Sequence, residues 1–170
     1  MILFISVFCS NEILAQKNYP KPATNPNRLF YIQHSQNTNT FVYDANLKNG
    51  TFVTDSPLNV YRILYAENGE KKELSGIQKK LAYGINVNST GKDSYQFTIK
   101  GYPALKWKLS MKNGKPVACL TVNNKTIFVE RMFIQTKDNT SGITAKVDYI
   151  LFTGTNDQNK TVTEKYFPEQ

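Results

Sequence analysis

His34 is the only histidine in this sequence of 170 residues, so any chemistry that needs an imidazole must use it. A zinc site with several histidine ligands is therefore excluded, and a Ser-His-Asp or Cys-His catalytic group would have to be built around His34. The Gly-x-Ser-x-Gly pattern of a nucleophile elbow does not occur. His34 falls at the end of an apolar run beside Ser35, and we expect a strand-end histidine that bonds to backbone.

Cys119 is the second candidate for chemistry. We expect it in the middle of a strand, opposite Lys108, whose charge could lower the pKa of the thiol. Phe128 is expected on the other side of Cys119. This neighbour favours the alternative that Cys119 is a small buried hydrophobic residue without reactivity.

Asp44, Asn46 and Gly50 suggest a calcium-binding loop, but their spacing does not fit one. Lys48 occupies an expected ligand position, and the glycine arrives one place late. No Gly-rich phosphate-binding loop occurs either. The sequence therefore predicts no catalytic residue, no metal ligand and no cofactor.

The aromatic residues are the remaining candidates for a binding site. The chain has 10 Tyr, 10 Phe and 1 Trp, and a β-barrel or sandwich rich in such side chains can hold a small apolar ligand or a glycan. The alternative is that most of them form the core. The candidate pocket residues are Tyr31, Tyr43, Tyr61, Tyr65, Tyr83 and Trp107.

The formal net charge of +8 is compatible with nucleic acid, an anionic membrane surface or acidic glycans as partners. We favour the simpler interpretation, a lysine-rich soluble surface, because no run of Lys and Arg is longer than two residues. Single-stranded nucleic acid needs basic and aromatic side chains on one surface, whereas Lys106 and Lys108 are predicted to face away from Trp107. We therefore expect no nucleic-acid partner.

The N-terminus predicts export. Residues 1–9 read MILFISVFC, an apolar stretch of the length of a signal-peptide core, and Ala15 offers a small residue for cleavage. We expect a signal peptide over residues 1–15, an extended proline-containing leader over 16–28 and a single β-rich domain over 29–168. The product is expected in the periplasm or outside the cell, without a membrane-spanning segment.

Alternation of apolar and polar residues, interrupted by Asn- and Gly-rich turns, predicts a mainly β fold. We expect an antiparallel meander that forms a barrel or a sandwich. One short helix is expected near residues 75–83. There Leu74, Ile77 and Leu81 share a face, and Ser75 and Gln78 form a capping box.

The strand pattern is clearest over residues 105–133. Asn113-Gly114 is a two-residue hairpin turn that sets Trp107 opposite Leu120. A second turn at Asn123-Asn124 sets Leu120 opposite Ile127. Trp107, Leu120 and Ile127 should then form a row on the buried face of three strands. The opposite face should carry Lys106, Lys108 and Cys119.

Several segments of the first half resemble a family of exported proteins of unknown function found in Bacteroides and related bacteria. The matching residues are Leu29-Phe30-Tyr31-Ile32, Ser35, Asn37, Asn39, Val42-Tyr43-Asp44, Val60-Tyr61, Ile63, Ile77-Gln78 and Ala82-Tyr83-Gly84. The resemblance implies export and the limits of a domain, and it implies no activity.

Three functional hypotheses remain open. The first is a secreted or periplasmic binding module for a small apolar ligand or a glycan. The second is a structural or interaction protein of the cell envelope that has no ligand pocket. The third is a hydrolase that uses paired acidic residues.

Overall fold

The computed structural model describes residues 19–138, 140 and 145–168, and strands dominate this part of the chain. Its helical structure consists of a 3-10 turn, Tyr65–Glu67, and a π-helical turn, Gln78–Ala82. The expected signal peptide, residues 1–15, lies outside the described residues. The strands are β1 Arg28–His34, β2 Asn37–Ala45, β3 Leu47–Lys48, β4 Thr51–Phe52, β5 Leu58–Leu64, β6 Glu70–Glu73, β7 Ile85–Gly91, β8 Ser94–Ile99, β9 Tyr102–Lys112, β10 Lys115–Val122, β11 Lys125–Thr136, β12 Val147–Thr155 and β13 Thr161–Tyr166.

Eleven of these strands form one sheet that curls into a half-barrel, which confirms the mainly β fold. The strand order is β6-β5-β2-β1-β11-β10-β9-β8-β7, and β12 and β13 extend from β11; β3 and β4 form a separate hairpin. β1 pairs with β11 in parallel, so the sheet is mixed, whereas the sequence predicted antiparallel pairing. The long strand β11 makes this possible because its first part pairs with β10 and its later part with β1.

The predicted meander of residues 105–133 is confirmed as β9, β10 and β11. Asn113 and Gly114 have φ angles of 51° and 74°, and Asn123 and Asn124 have φ angles of 49° and 62°. Positive φ at both central residues is typical of the type I′ hairpin turn, whose twist matches that of the flanking strands. The register places Leu120 between Trp107 and Ile127, and all three side chains are buried. Lys106 and Lys108 are exposed on the other face.

Stacked aromatic rings form the centre of the concave, inner face. The Phe30 ring lies between Tyr43 and Trp107, with ring centroids 4.5 Å and 4.4 Å away. Phe97 and Phe152 also contact Trp107, at 5.6 Å and 6.1 Å between centroids. All five side chains are almost completely buried. The half-barrel is thus held together by a packed aromatic core.

The helix predicted near residues 75–83 is a short turn with its capping box in place. The Ser75 N–H donates to Gln78 Oε1 at 3.1 Å, and the Gln78 N–H donates to Ser75 Oγ at 3.3 Å. Leu74 packs against the core, but Ile77 and Leu81 are 69% and 64% exposed, so the predicted common apolar face is wrong. The π-helical winding explains this because the spacing that aligns residues on an α-helix no longer applies.

Close backbone packing fixes the end of the π-helical turn. A Cβ on Gly84 would lie 1.8 Å from the carbonyl oxygen of Lys79, so this position requires glycine. The Gly101 N–H donates to the Ala82 carbonyl at 2.8 Å, and the Lys100 N–H donates to the Gly84 carbonyl at the same distance. The turn is therefore fastened to the loop between β8 and β9.

Candidate functional site

His34 lies at the end of β1 and points to the inner face. Its Nε2 lies 2.8 Å from the Tyr83 hydroxyl, and the Phe41 and Tyr83 rings contact it edge-on. The expected backbone bond is thus replaced by a bond to a side chain. Burial lowers the pKa of His34 to about 4, so the imidazole is neutral near pH 7. The neighbouring Ser35 hydroxyl is engaged by Thr136 rather than by His34.

Cys119 lies on the outward face of the meander, with Lys108 and Phe128 as its cross-strand neighbours, as predicted. Burial raises the pKa of the Cys119 thiol, and the charge of Lys108 opposes that shift only in part. The thiol form therefore dominates near pH 7, which disfavours a nucleophilic role.

Asp44 is part of a hydrogen-bonded cluster with the leader and β5. Its carboxylate forms an ion pair with Arg28 Nε and accepts hydrogen bonds from Asn25 Nδ2 at 2.8 Å and from the Tyr61 hydroxyl at 2.9 Å. Arg28 Nη2 donates to the same Tyr61 hydroxyl at 3.2 Å. The described residues contain no group of three or more His, Cys, Asp or Glu side chains that could hold a metal ion.

The six aromatic residues predicted to line a pocket lie in three different places. Tyr43 and Trp107 are fully buried in the core. Tyr83 follows the π-helical turn, where its ring stacks on Phe41 at 3.4 Å between centroids and its carbonyl accepts a hydrogen bond from the Tyr43 hydroxyl. The other three share the outer surface near Arg28, and they are Tyr31, Tyr61 and Tyr65.

We call the outer surface formed by Tyr31, Tyr61, Tyr65, Arg28 and Arg131 the tyrosine face. Its three tyrosines are partly exposed. Burial raises the pKa of Tyr31 and of Tyr65. At Tyr31 the charges of Arg131 and Arg28 oppose this shift and that of Glu130 adds to it, and at Tyr65 the charge of Arg28 opposes it. Neither the Tyr31 hydroxyl nor the Tyr65 hydroxyl has a hydrogen-bond partner among the described residues. Tyr61 is fixed by its own hydrogen bonds and is covered by Lys71 Nζ, 3.8 Å from its ring centroid.

Arg131 borders Tyr31 on the other side, as its pairing partner across the parallel strands. Arg131 Nε donates to Gln33 Oε1 at 2.8 Å, and the guanidinium lies 4.9 Å from the Phe133 ring and 5.9 Å from the Tyr19 ring. Its Nη2 atom is buried without a hydrogen-bond partner in the described part of the chain. Tyr31 therefore lies near two arginines and the Glu130 carboxylate, and of the two arginines only Arg28 forms an ion pair within the described residues.

Sequence reasoning missed Arg28, Arg131 and Lys71 as parts of this surface. Asp44 carried a usable signal because it interrupts an otherwise apolar strand, and a buried carboxylate requires a partner. No comparable signal marked Arg131, since its position beside Tyr31 depends on a strand pairing about one hundred residues apart in the sequence.

The architecture defines a half-barrel domain with a solid aromatic core and a polar aromatic surface outside it. Residues 30–165 match the family model described as Domain of unknown function (DUF4833), and the chain belongs to this family. No curated protein and no solved structure gives a match. None of the helical turns in the described residues is long and apolar enough to cross a membrane. The description of the family gives no function, so a function must be argued from the geometry.

Proposed function

We propose that this domain is an exported binding module that holds a glycan on its tyrosine face. The observation that carries the proposal is the position of Tyr31, which is partly exposed, pairs with Arg131 and lies near Arg28, Glu130 and Tyr65. Export is part of the proposal and follows from the apolar N-terminus and Ala15.

Glycan recognition fits the mixture of groups on this surface. A sugar ring presents apolar C–H groups on one side and hydroxyl groups around its edge. Tyrosine offers an apolar ring with a polar tip, and arginine offers several hydrogen-bond donors in a fixed plane. Arg131 acts on Tyr31 more strongly than Glu130 or Arg28 does, and its Nη2 has no hydrogen-bond partner in the described residues, so it can donate to a carboxylate or sulfate of a glycan.

The tyrosine face is ordered by its own contacts. Tyr61 and Arg28 are both bonded to Asp44, and Arg131 is held by Gln33. Side chains that are already fixed lose less conformational entropy when a ligand binds. The binding free energy is then more favourable by the entropic cost that is avoided.

The packed interior supports a glycan over a small apolar ligand held inside the half-barrel. Such a ligand would need Tyr43 and Trp107 as parts of its lining, but both are fully buried against other rings. The outer surface, in contrast, presents its tyrosines to solvent together with charged groups.

An oligosaccharide array with neutral, uronic-acid and sulfated glycans would test the proposal. We expect binding with a preference for the acidic glycans, followed by calorimetric titration of the best binder. Tyr31→Ala and Tyr65→Ala should each weaken that binding by roughly tenfold or more, about 1.4 kcal/mol, if these rings carry contact energy. Tyr31→Phe separates the contribution of the ring from that of the hydroxyl.

Tyr166→Ala is the matched control. Tyr166 is also partly buried, but it pairs with Ile150 and therefore belongs to the inner face of the sheet. Its removal should leave glycan affinity unchanged. A lack of binding to every glycan on the array, or equal losses for Tyr31→Ala and Tyr166→Ala, would refute the assignment.

A further inference from the structure

A cleft of about 560 Å³ lies where β5 and the end of β6 face the start of β7, at the two ends of the strand order. Small-molecule sites commonly have volumes of roughly 300–1,000 Å³. Leu58 and Val60, on the inner face of β5, line this cleft together with Asn59, whereas none of Tyr31, Tyr61 and Tyr65 lines it. This cleft is therefore separate from the proposed glycan site.

The floor of the cleft is apolar. Leu58 is buried, and Val60, Leu74 and Ile85 are partly buried side chains that pack against the core. Val60, Leu74 and Ile85 keep part of their surface available in the cleft. A ligand chain of CH₂ groups would gain free energy by covering this surface, because apolar area is removed from water on both sides.

Three lysines line the opposite wall, namely Lys79 and Lys80 of the π-helical turn and Lys100 of the turn after β8. All three are exposed, and the ion pairs of the described residues involve other cations, Arg28, Lys72 and Lys125. The Lys100 backbone is bonded to Gly84, so the three positions belong to one rigid corner of the domain. This corner concentrates positive charge beside an apolar floor.

Two acids, Asp55 and Glu73, lie on the β5 and β6 side of the same cleft. Neither carboxylate forms an ion pair with the lysines across the cleft. The charge is thus divided between the walls, positive at the π-helical turn and negative opposite it. An anionic head group would be drawn to the lysine wall and repelled from the other wall, which fixes the direction of an attached chain.

We propose that this cleft binds an aliphatic chain with an anionic head, represented by a long-chain carboxylate. The head lies against Lys79, Lys80 and Lys100, and the chain covers Val60, Leu74 and Ile85 above the buried Leu58. The site gives the domain a second ligand class besides the proposed glycan.

Isothermal titration calorimetry of the full chain with octanoate, decanoate and dodecanoate, each below its micelle concentration, tests this site. We expect saturable binding that tightens roughly two- to fourfold for each added CH₂ group, as expected for burial of the chain. The triple variant Lys79→Gln, Lys80→Gln, Lys100→Gln should weaken dodecanoate binding roughly tenfold. Glu73→Gln should instead strengthen it, because a repulsive charge is removed.

The triple variant Lys48→Gln, Lys92→Gln, Lys115→Gln is the matched control. It removes the same net charge from exposed lysines outside the cleft and should change the affinity less than twofold. No saturable binding of any of the three acids would overturn the proposal, and so would equal weakening by the two triple variants.

Vesicles of an anionic phospholipid separate the cleft from simple adsorption to a lipid surface. Ile77 and Leu81 are exposed on the π-helical turn but do not line the cleft. Ile77→Ser with Leu81→Ser should therefore leave dodecanoate binding unchanged. Vesicle binding that this double variant abolishes, together with no binding of monomeric dodecanoate, would assign the region to a membrane surface and overturn the proposal.

Discussion

Replacing Trp107 by alanine should destabilise the domain by about 3–5 kcal/mol, the usual cost of deleting a large buried aromatic side chain. Trp107 is fully buried and contacts Phe30, Phe97 and Phe152. The stacked pair with Phe30 adds about 0.5–1.5 kcal/mol beyond the buried area. The three neighbouring rings belong to three different strands, so the cavity cannot collapse without moving the sheet. We therefore expect a value in the upper half of the range.

Trp107→Phe provides an internal comparison. The indole Nε1 of Trp107 is buried without a hydrogen-bond partner in the described residues, and an unpaired buried donor costs about 1–3 kcal/mol. Phenylalanine removes that cost while it keeps a ring beside Phe30 and Phe97. The loss from the smaller ring is then largely offset, and we expect a net destabilisation of no more than about 1.5 kcal/mol.

Urea denaturation followed by far-ultraviolet circular dichroism measures both variants. Tryptophan fluorescence cannot serve because Trp107 is the single tryptophan of the chain. Unchanged m-values would show that the two variants unfold from equally compact native states. A loss below about 1 kcal/mol for Trp107→Ala, or equal losses for alanine and phenylalanine, would refute the assignment of Trp107 to the core.

Two further predictions concern His34 and the N-terminus. Burial lowers the pKa of His34 from 6.5 to about 4, so between these pH values the unfolded chain binds a proton that the folded chain does not. The free energy of unfolding therefore carries no penalty from His34 above pH 6.5. As the pH falls towards 4, this free energy decreases by up to about 1.4 kcal/mol per pH unit. Urea titrations at pH 7, 6, 5 and 4 should show this loss, and His34→Gln should reduce it; identical slopes for both proteins would contradict the burial of a neutral imidazole. At the N-terminus, mass spectrometry of the protein from its native host should find a chain that begins at Gln16, whereas a folded protein that retains Met1 would rule out export.

The sequence was sufficient for the local β-structure. In β9 to β11, Asn-containing turns with positive φ and the apolar alternation specify the same register, and a slip of one residue would bury Lys106 or Lys108 in place of Trp107. The capping box of Ser75 and Gln78 was likewise predictable, since both of its hydrogen bonds join residues three positions apart.

The pairing of strands far apart in the sequence could not be predicted in the same way. Alternation shows that Tyr43 and Asp44 point to opposite sides of β2, but it does not show which side is covered by the other strands. Tyr43 faces the core, and Asp44 faces Arg28 and Tyr61. The division of the six candidate aromatics therefore depends on how the sheet curls. The curl in turn depends on the pairing of β1 with β11, which no turn residue specifies.

The pairing of β1 with β11 also constrains the order in which the chain can fold. Tyr31 pairs with Arg131, so a strand at the start of the domain finds its neighbour only after about one hundred further residues have been synthesised. Until then β1 and β2 can form a hairpin, but one edge of that hairpin and the apolar side chains of Phe30 and Ile32 stay uncovered. Closing so long a loop makes folding slow and leaves the growing chain prone to aggregation. The domain should therefore complete its folding only after β11 has been made, and a chain that ends before Lys125 should not fold.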